Sequence, residues 1–165
     1  MRTFQNKKIL FTPGFAIYLA FLVLLLPLQW LFLWLVAAAV HELSHIFALK
    51  LTGVNVCGIT VSNLGIQMNI GPISPGKELF VAAAGPLGGL CLLIIRKWIP
   101  GIAACATIQS LFNLLPIYPL DGGRILCTLL VLLHIPNYLH KCIMRTVQVI
   151  TIVGLLTLCY SVYVR

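Results

Sequence analysis

Acidic residues are nearly absent from this chain: among 165 residues only Glu42, Glu78 and Asp121 carry a carboxylate, and charged residues of both signs make up 8%. A water-soluble domain of this length needs far more charge to cover its surface, so the classes of soluble enzyme and soluble carrier are excluded at the outset. A block of Lys and Arg is missing too. The net charge of +8 is scattered between apolar runs, which removes the main reason to expect nucleic acid as a partner. The six cysteines (Cys57, Cys91, Cys105, Cys127, Cys142, Cys159) include no CxxC pair, and most fall within apolar runs. They read as small core residues, not as disulfides or metal ligands.

What is present instead is hydrocarbon. Hydrophobic residues account for 61% of the chain and the mean hydropathy is +1.06, so lipid is the solvent to consider. Apolar runs cover about 11–26, 28–49, 79–95, 99–118, 125–136 and 146–164, and a span needs roughly 20 mostly apolar residues. The sequence therefore predicts an all-α integral membrane protein with about six transmembrane helices, in which residues 1–165 form a single multi-pass domain. Arg2, Lys7 and Lys8 precede the first run and place the amino terminus on the cytoplasmic side. No small-x-small cleavage site follows "FAIYLAFLVLLLPLQW", so this run reads as a retained span and not as a signal peptide. Pro27 separates it from the second run and predicts a tight helical hairpin. Tracing the runs onward puts Arg2, Lys7, Lys8, Lys50, Lys77, Arg124 and Arg165 inside, against Arg96, Lys97, Lys141 and Arg145 outside. That excess supports the assignment.

The pattern breaks once, at "TGVNVCGITVSNLGIQMNIGPISPGKE" between the second and third runs. Alternation at Val54 and Val56, then Ile59 and Val61, then Ile66, Met68 and Ile70, with "SNLG" between, predicts a short β-hairpin. An open strand edge cannot face lipid, so the hairpin belongs at the interface or against a cavity within the protein.

Of the three carboxylates, Glu78 is explained by Lys77 beside it and by a helix start, where the dipole favours negative charge. Glu42 and Asp121 need another explanation, since an ionisable group inside a span costs about 2.5–3.5 kcal/mol even on the lenient insertion scale. In "AAAVHELSHIFALK", His41 and His45 lie one helical turn apart on one face, the spacing that lets two imidazole nitrogens reach one tetrahedral Zn²⁺ at about 2.0–2.1 Å. Glu42 beside the first histidine can take a proton from a water on the metal, which completes the logic of HExxH. A catalytic zinc takes a third protein ligand and keeps an open position. In the longer HExxHxxGxxH pattern that ligand would stand at position 51, which is Leu51, and Glu78 sits at a helix end beside Lys77. Asp121, in "NLLPIYPLDGG", remains. His41 is nine residues before Lys50, about 13 Å from the inner helix end at 1.5 Å per residue, and Asp121 is similarly close to Arg124.

These residues resemble the site-2 intramembrane metalloproteases. His41-Glu42-Leu43-Ser44-His45 is similar to the HExxH helix of that family, Leu120-Asp121-Gly122 to its second metal motif, and Ala84-Gly85-Pro86 to a short signature between them. "FNLLPIYPLDGG" resembles most closely the branch that includes the stage IV sporulation protein FB. Many members have Asn-Pro directly before Asp-Gly, whereas Pro119 and Leu120 stand here, so the asparagine role moves to Asn113. The resemblance covers about residues 28–125, the expected catalytic core. It implies that His41, His45 and Asp121 hold Zn²⁺, that Glu42 is the general base and that Asn113 contacts substrate or a bound water. It also implies a cell-membrane endopeptidase whose active site lies towards the cytoplasm. Its substrate would be a membrane-bound protein such as a transcription-factor precursor or anti-sigma factor, and its control would come from a separate regulatory membrane protein. The rival reading is a non-proteolytic membrane protein that keeps a structural zinc site and acts as a binding partner. In either case the bilayer is the constant partner.

Overall fold

The computed structural model describes residues 8–62 and 65–164. Its elements follow the chain as β1 (Lys8–Phe11), α1 (Pro13–Leu25), α2 (Leu28–Thr52), β2 (Val56–Ser62), β3 (Gly65–Ile70), α3 (Pro75–Cys91), α4 (Pro100–Asn113), α5 (Asp121–Leu132) and α6 (Asn137–Tyr163). A short 3-10 turn, Leu92–Ile95, extends α3. Six helices thus lie on the six apolar runs, and three stretches are long and apolar enough to cross a membrane: Leu28–Thr52, Pro75–Ile95 and Asn137–Tyr163. The other three helices, of 13, 14 and 12 residues, are shorter than the roughly 20 residues a full span requires.

Helix ends fall where the local chemistry puts them. Pro75 and Pro100 open α3 and α4 at the first turn, where a missing N–H costs nothing. Gly53 ends α2 at φ 68°, with its N–H on the Leu49 and Lys50 carbonyls. That left-handed conformation suits glycine best, and Lys77 Nζ adds a bond to the Thr52 carbonyl at 2.9 Å. The expected sixth run begins nine residues too late, because α6 starts directly after Pro136 and carries Lys141 and Arg145 within it. The fourth run ends too late: α4 stops at Asn113 and the chain turns through Leu114–Leu120 before α5. Pro86 does not end α3, since the helix continues to Cys91.

The core is built on α3, which packs against α2, α4 and α5. Small residues bring the axes together. A Cβ on Gly88 would collide with Ser44 of α2, and one on Gly89 would collide with Ser110 and crowd the Ala106 carbonyl of α4. Such close approach is how helices associate where no hydrophobic gain distinguishes lipid from protein. Ala37, Cys105 and Ala106 fill the α2–α4 seam, crossed by a hydrogen bond from Gln109 Nε2 to the Trp34 carbonyl at 3.0 Å. The expectation that the cysteines are core residues holds for few of them. Cys105 is buried, whereas Cys57, Cys91, Cys142 and Cys159 are exposed on the chain's outer face, and all six are free. Outward-facing apolar side chains are the norm for a helix whose solvent is hydrocarbon. Helix α1 touches α2 over little of its length and also meets β2, so the two form a looser pair than the tight hairpin expected at Pro27.

The hairpin is part of a larger sheet. β2 and β3 pair antiparallel from Val56↔Ile70 to Ser62↔Gly65, with a bulge near Val56 and Gly58, and the tip at residues 63 and 64 lies outside the described residues. β1 adds parallel to the other side of β2, Lys8 opposite Gly58 through Phe11 opposite Val61. The order is β1-β2-β3. Sequence pattern predicts no strand at Lys8–Phe11, because four residues running straight into an apolar helix show no period-2 signal. Val56, Met68 and Ile70 pack onto Ala48, Leu49 and Val81, so the sheet is seated at the carboxyl end of α2, one turn from His45.

If close approach by α3 carries the fold, Gly89→Val should destabilise the protein by about 1–3 kcal/mol through overpacking. Gly154→Val, at a position in α6 with nothing within 4 Å, should leave the melting temperature in detergent unchanged.

Candidate metal centre

His41 and His45 belong to a full α-helical turn of α2 and both are buried. Asp121 is the first residue of α5, where its charge is favoured by the helix amino terminus, and it too is only 7% exposed. The turn before α5 sets its position. Backbone bonds from Ile117 to Leu115, at 2.7 Å, and from Leu120 to Ile117, at 2.8 Å, fold the segment back. Gly122 and Gly123 lie so close to the Leu114 and Ile117 backbone that a Cβ on either would overlap it.

The three side chains meet at one point. Asp121 Oδ2 is 3.0 Å from His41 Nε2 and 3.1 Å from His45 Nε2, and the two Nε2 atoms are 3.2 Å apart. On its far side, His45 Nδ1 lies 2.8 Å from the Val81 carbonyl of α3. A carbonyl only accepts, so Nδ1–H is the donor and Nε2 presents a lone pair. Carboxylate Oδ2 is likewise an acceptor. A single proton on His41 Nε2 cannot satisfy both neighbours, so the triangle is short of positive charge at its centre. A cation supplies it. Four-coordinate zinc with bonds of about 2.0–2.1 Å holds its donors roughly 3.3 Å apart, close to the three separations found. Two imidazoles and one carboxylate also fit that metal by ligand type, and these three residues could therefore hold a metal ion.

Supporting groups surround the triangle. Pro86 cannot donate to Ala82, which leaves the carbonyl ladder of α3 incomplete at this turn, and the neighbouring Val81 carbonyl takes the His45 proton. The second Asp121 oxygen, Oδ1, faces Arg124 Nη1 at 3.7 Å, and Arg124 Nη2 faces Glu78 Oε1 at 3.9 Å. Glu78 is thus engaged with Arg124 across α3 and α5, and Lys77, its expected neighbour, bonds elsewhere. Glu42 is half-buried, next to His41, and near enough to His45 for its charge to act on that ring. Asn113 is half-buried at the last turn of α4, and its amide makes no hydrogen bond among the described residues. His134 and His140 stay out of the cluster: His134 lies in the turn after α5 with a φ of 55°, and His140 Nε2 is 3.3 Å from Cys127 Sγ.

Gly85 is the residue whose connection to the histidines sequence reasoning does not reach. A Cβ there would overlap His45 and lie 2.8 Å from His41 Nε2. The Ala84-Gly85-Pro86 signature is visible in the sequence, but only the packing shows what the glycine approaches. Gly85→Ala should therefore push the imidazoles apart and lower bound metal per chain at least tenfold by elemental analysis, with the helical circular dichroism retained.

No family model matches the chain. A curated zinc metalloprotease of Methanocaldococcus jannaschii is 34% identical over 109 residues, which are 58% of this chain and 32% of that protein. The chain thus spans about a third of the length of the curated relative it matches. Among solved structures, the site-2 protease from Methanocaldococcus jannaschii aligns with a TM-score of 0.65 and 23% identity, over 96% of this chain and 85% of that one. Six helices around a buried His-His-Asp triangle, with a small sheet seated beside it, are the fold of a site-2 protease.

Proposed function

We propose that this protein is a multi-pass intramembrane zinc endopeptidase that hydrolyses a peptide bond in or near the transmembrane segment of a membrane-bound protein. The observation that carries this reading is the convergence of three acceptor atoms on one point, with Glu42 in the adjoining position of the same helix. His41, His45 and Asp121 would hold the zinc. When bound there, zinc polarises the scissile carbonyl and acidifies the water beside it. The chain's own groups do the rest. Glu42 takes the proton from the attacking water and returns it to the leaving amine. The Val81 carbonyl holds His45 in the tautomer that leaves Nε2 free, and Arg124 draws Asp121 Oδ1 aside so that Oδ2 faces the histidines. Asn113 contacts the substrate or a water from the end of α4.

All six helices cross the bilayer in this reading, the shorter ones with help from adjoining apolar residues, and the site opens towards the cytoplasm, as the distribution of Lys and Arg supports. Pro119-Leu120-Asp121 supports the sporulation branch of the family. The substrate class that follows by analogy is a membrane-tethered transcription-factor precursor or anti-sigma factor, governed by a separate membrane regulator.

A substrate helix must unwind before its backbone can be attacked. β3 is the outer strand of a sheet whose Met68 and Ile70 rest on Leu49, one turn from His45, and its free edge can pair with an extended segment. The rival reading, a non-proteolytic protein with a structural metal, gives Glu42 no task.

Two outcomes test this. Glu42→Gln should bind zinc and capture a model membrane substrate while cleavage falls by at least a thousandfold; turnover at the wild-type rate contradicts the mechanism. Proline placed singly from Ile66 to Ile70 should impair cleavage in alternation, severely where an N–H points to the free edge, with zinc content unchanged. Uniform tolerance would mean that substrate enters another way.

A further inference from the structure

Two buried polar side-chain atoms in the described residues have no hydrogen-bond partner, His41 Nδ1 and Ser110 Oγ. They belong to the same layer of the bundle. Leu33 of α2 packs where a Cβ on Gly101 of α4 would stand, and Ala37 packs with Cys105 and Ala106. Each step of four residues along α2 matches a step of four along α4, so the next layer sets His41 beside Gln109 and Ser110. The third helix agrees. Gly85 of α3 faces the two histidines and Gly89, one turn on along the same face, meets Ser110 Oγ.

Size alone does not account for a hydroxyl at this position. In the other helical segments the hydroxyls turn back on their own helix: Ser44 bonds to the Val40 carbonyl at 2.8 Å, Thr52 to Ala48 at 2.9 Å, Thr107 to Ala103 at 2.7 Å and Thr151 to Val147 at 2.8 Å. Ser110, fully buried, does not take that bond and points across to α3. Leaving a buried hydroxyl unbonded is costly, and an alanine would pack against Gly89 without that cost. On the other side, a histidine that binds metal through Nε2 almost always donates its remaining N–H to a polar partner, which fixes the ring and its tautomer. His45 has the Val81 carbonyl for this purpose.

We propose that Ser110 is the corresponding positioning residue for His41: its hydroxyl accepts the Nδ1–H, directly or across one water, and so keeps the Nε2 lone pair aimed at the metal. The inference rests on the metal-site reading above and goes beyond it by naming how the first ligand is held. It pairs each histidine with a different helix, His45 with α3 and His41 with α4.

The test compares wild type, Ser110→Ala and Thr107→Ala in lipid nanodiscs. Zinc affinity is measured by competition with a chromophoric chelator, thermal unfolding of the metal-free protein is followed alongside, and ¹⁵N-histidine NMR of the zinc-loaded protein reads the His41 Nδ1–H. Ser110→Ala should weaken zinc binding about tenfold or more and expose the His41 Nδ1–H to solvent exchange, while the metal-free protein melts at or above the wild-type temperature. Thr107→Ala should leave the affinity unchanged. Affinity for Ser110→Ala within threefold of wild type overturns the proposal, as does a loss of affinity matched by lower stability of the metal-free protein, which assigns Ser110 to packing. If the wild type takes up no zinc, the metal-site reading itself fails and this inference falls with it.

Discussion

Three acceptor atoms held within 3.2 Å of one another, away from water, are the constraint on which the structure turns. Two neutral imidazoles and a carboxylate repel at that distance unless a positive charge sits between them, and burying a charge without a partner costs several kcal/mol. The chain places two of its three carboxylates on or beside this point. A cation turns the cost into a gain, because the same low dielectric that penalises a lone carboxylate strengthens its bond to a metal. A polar cluster of this kind in an otherwise apolar molecule is evidence for function, since hydrocarbon packing has no use for it.

The rest of the fold serves to bring that cluster together and shut lipid out. Helix α3 is the wedge: its glycines admit the histidines of α2 on one side and Ser110 of α4 on the other, and its Val81 carbonyl orients His45. The turn from Leu114 to Leu120 delivers Asp121 at the head of α5, where glycines at 122 and 123 let the chain fold back on itself. The sheet closes the cytoplasmic end in our reading and offers its outer strand close to the metal centre. Helix α6, with no buried residue, stands apart from this machinery and presents its apolar surface outward.

Much of this is legible in the amino-acid sequence alone. The four-residue interval between His41 and His45 dictates a shared helix face by geometry, and the scarcity of acids leaves few partners for the pair. The aspartate whose oxygen lies 3.0 and 3.1 Å from those rings is the one that topology singles out. Strand alternation around Met68 and Ile70 marks the hairpin. β1 is not legible, because a parallel partner contributed by a distant four-residue segment leaves no local signature. Nor are the pairing of Glu78 with Arg124 and the contact of Gly85 with the histidines, since both depend on the relative rotation of helices, which composition and spacing do not encode.

The central claim is that His41, His45 and Asp121 together hold one catalytic zinc, and metal content measures it directly. Wild-type protein purified from membranes without chelators should contain one zinc per chain by elemental analysis, and Asp121→Ala, folded by circular dichroism, should contain less than a tenth of that, because it loses one of only three protein bonds. Full zinc occupancy in Asp121→Ala would contradict the account.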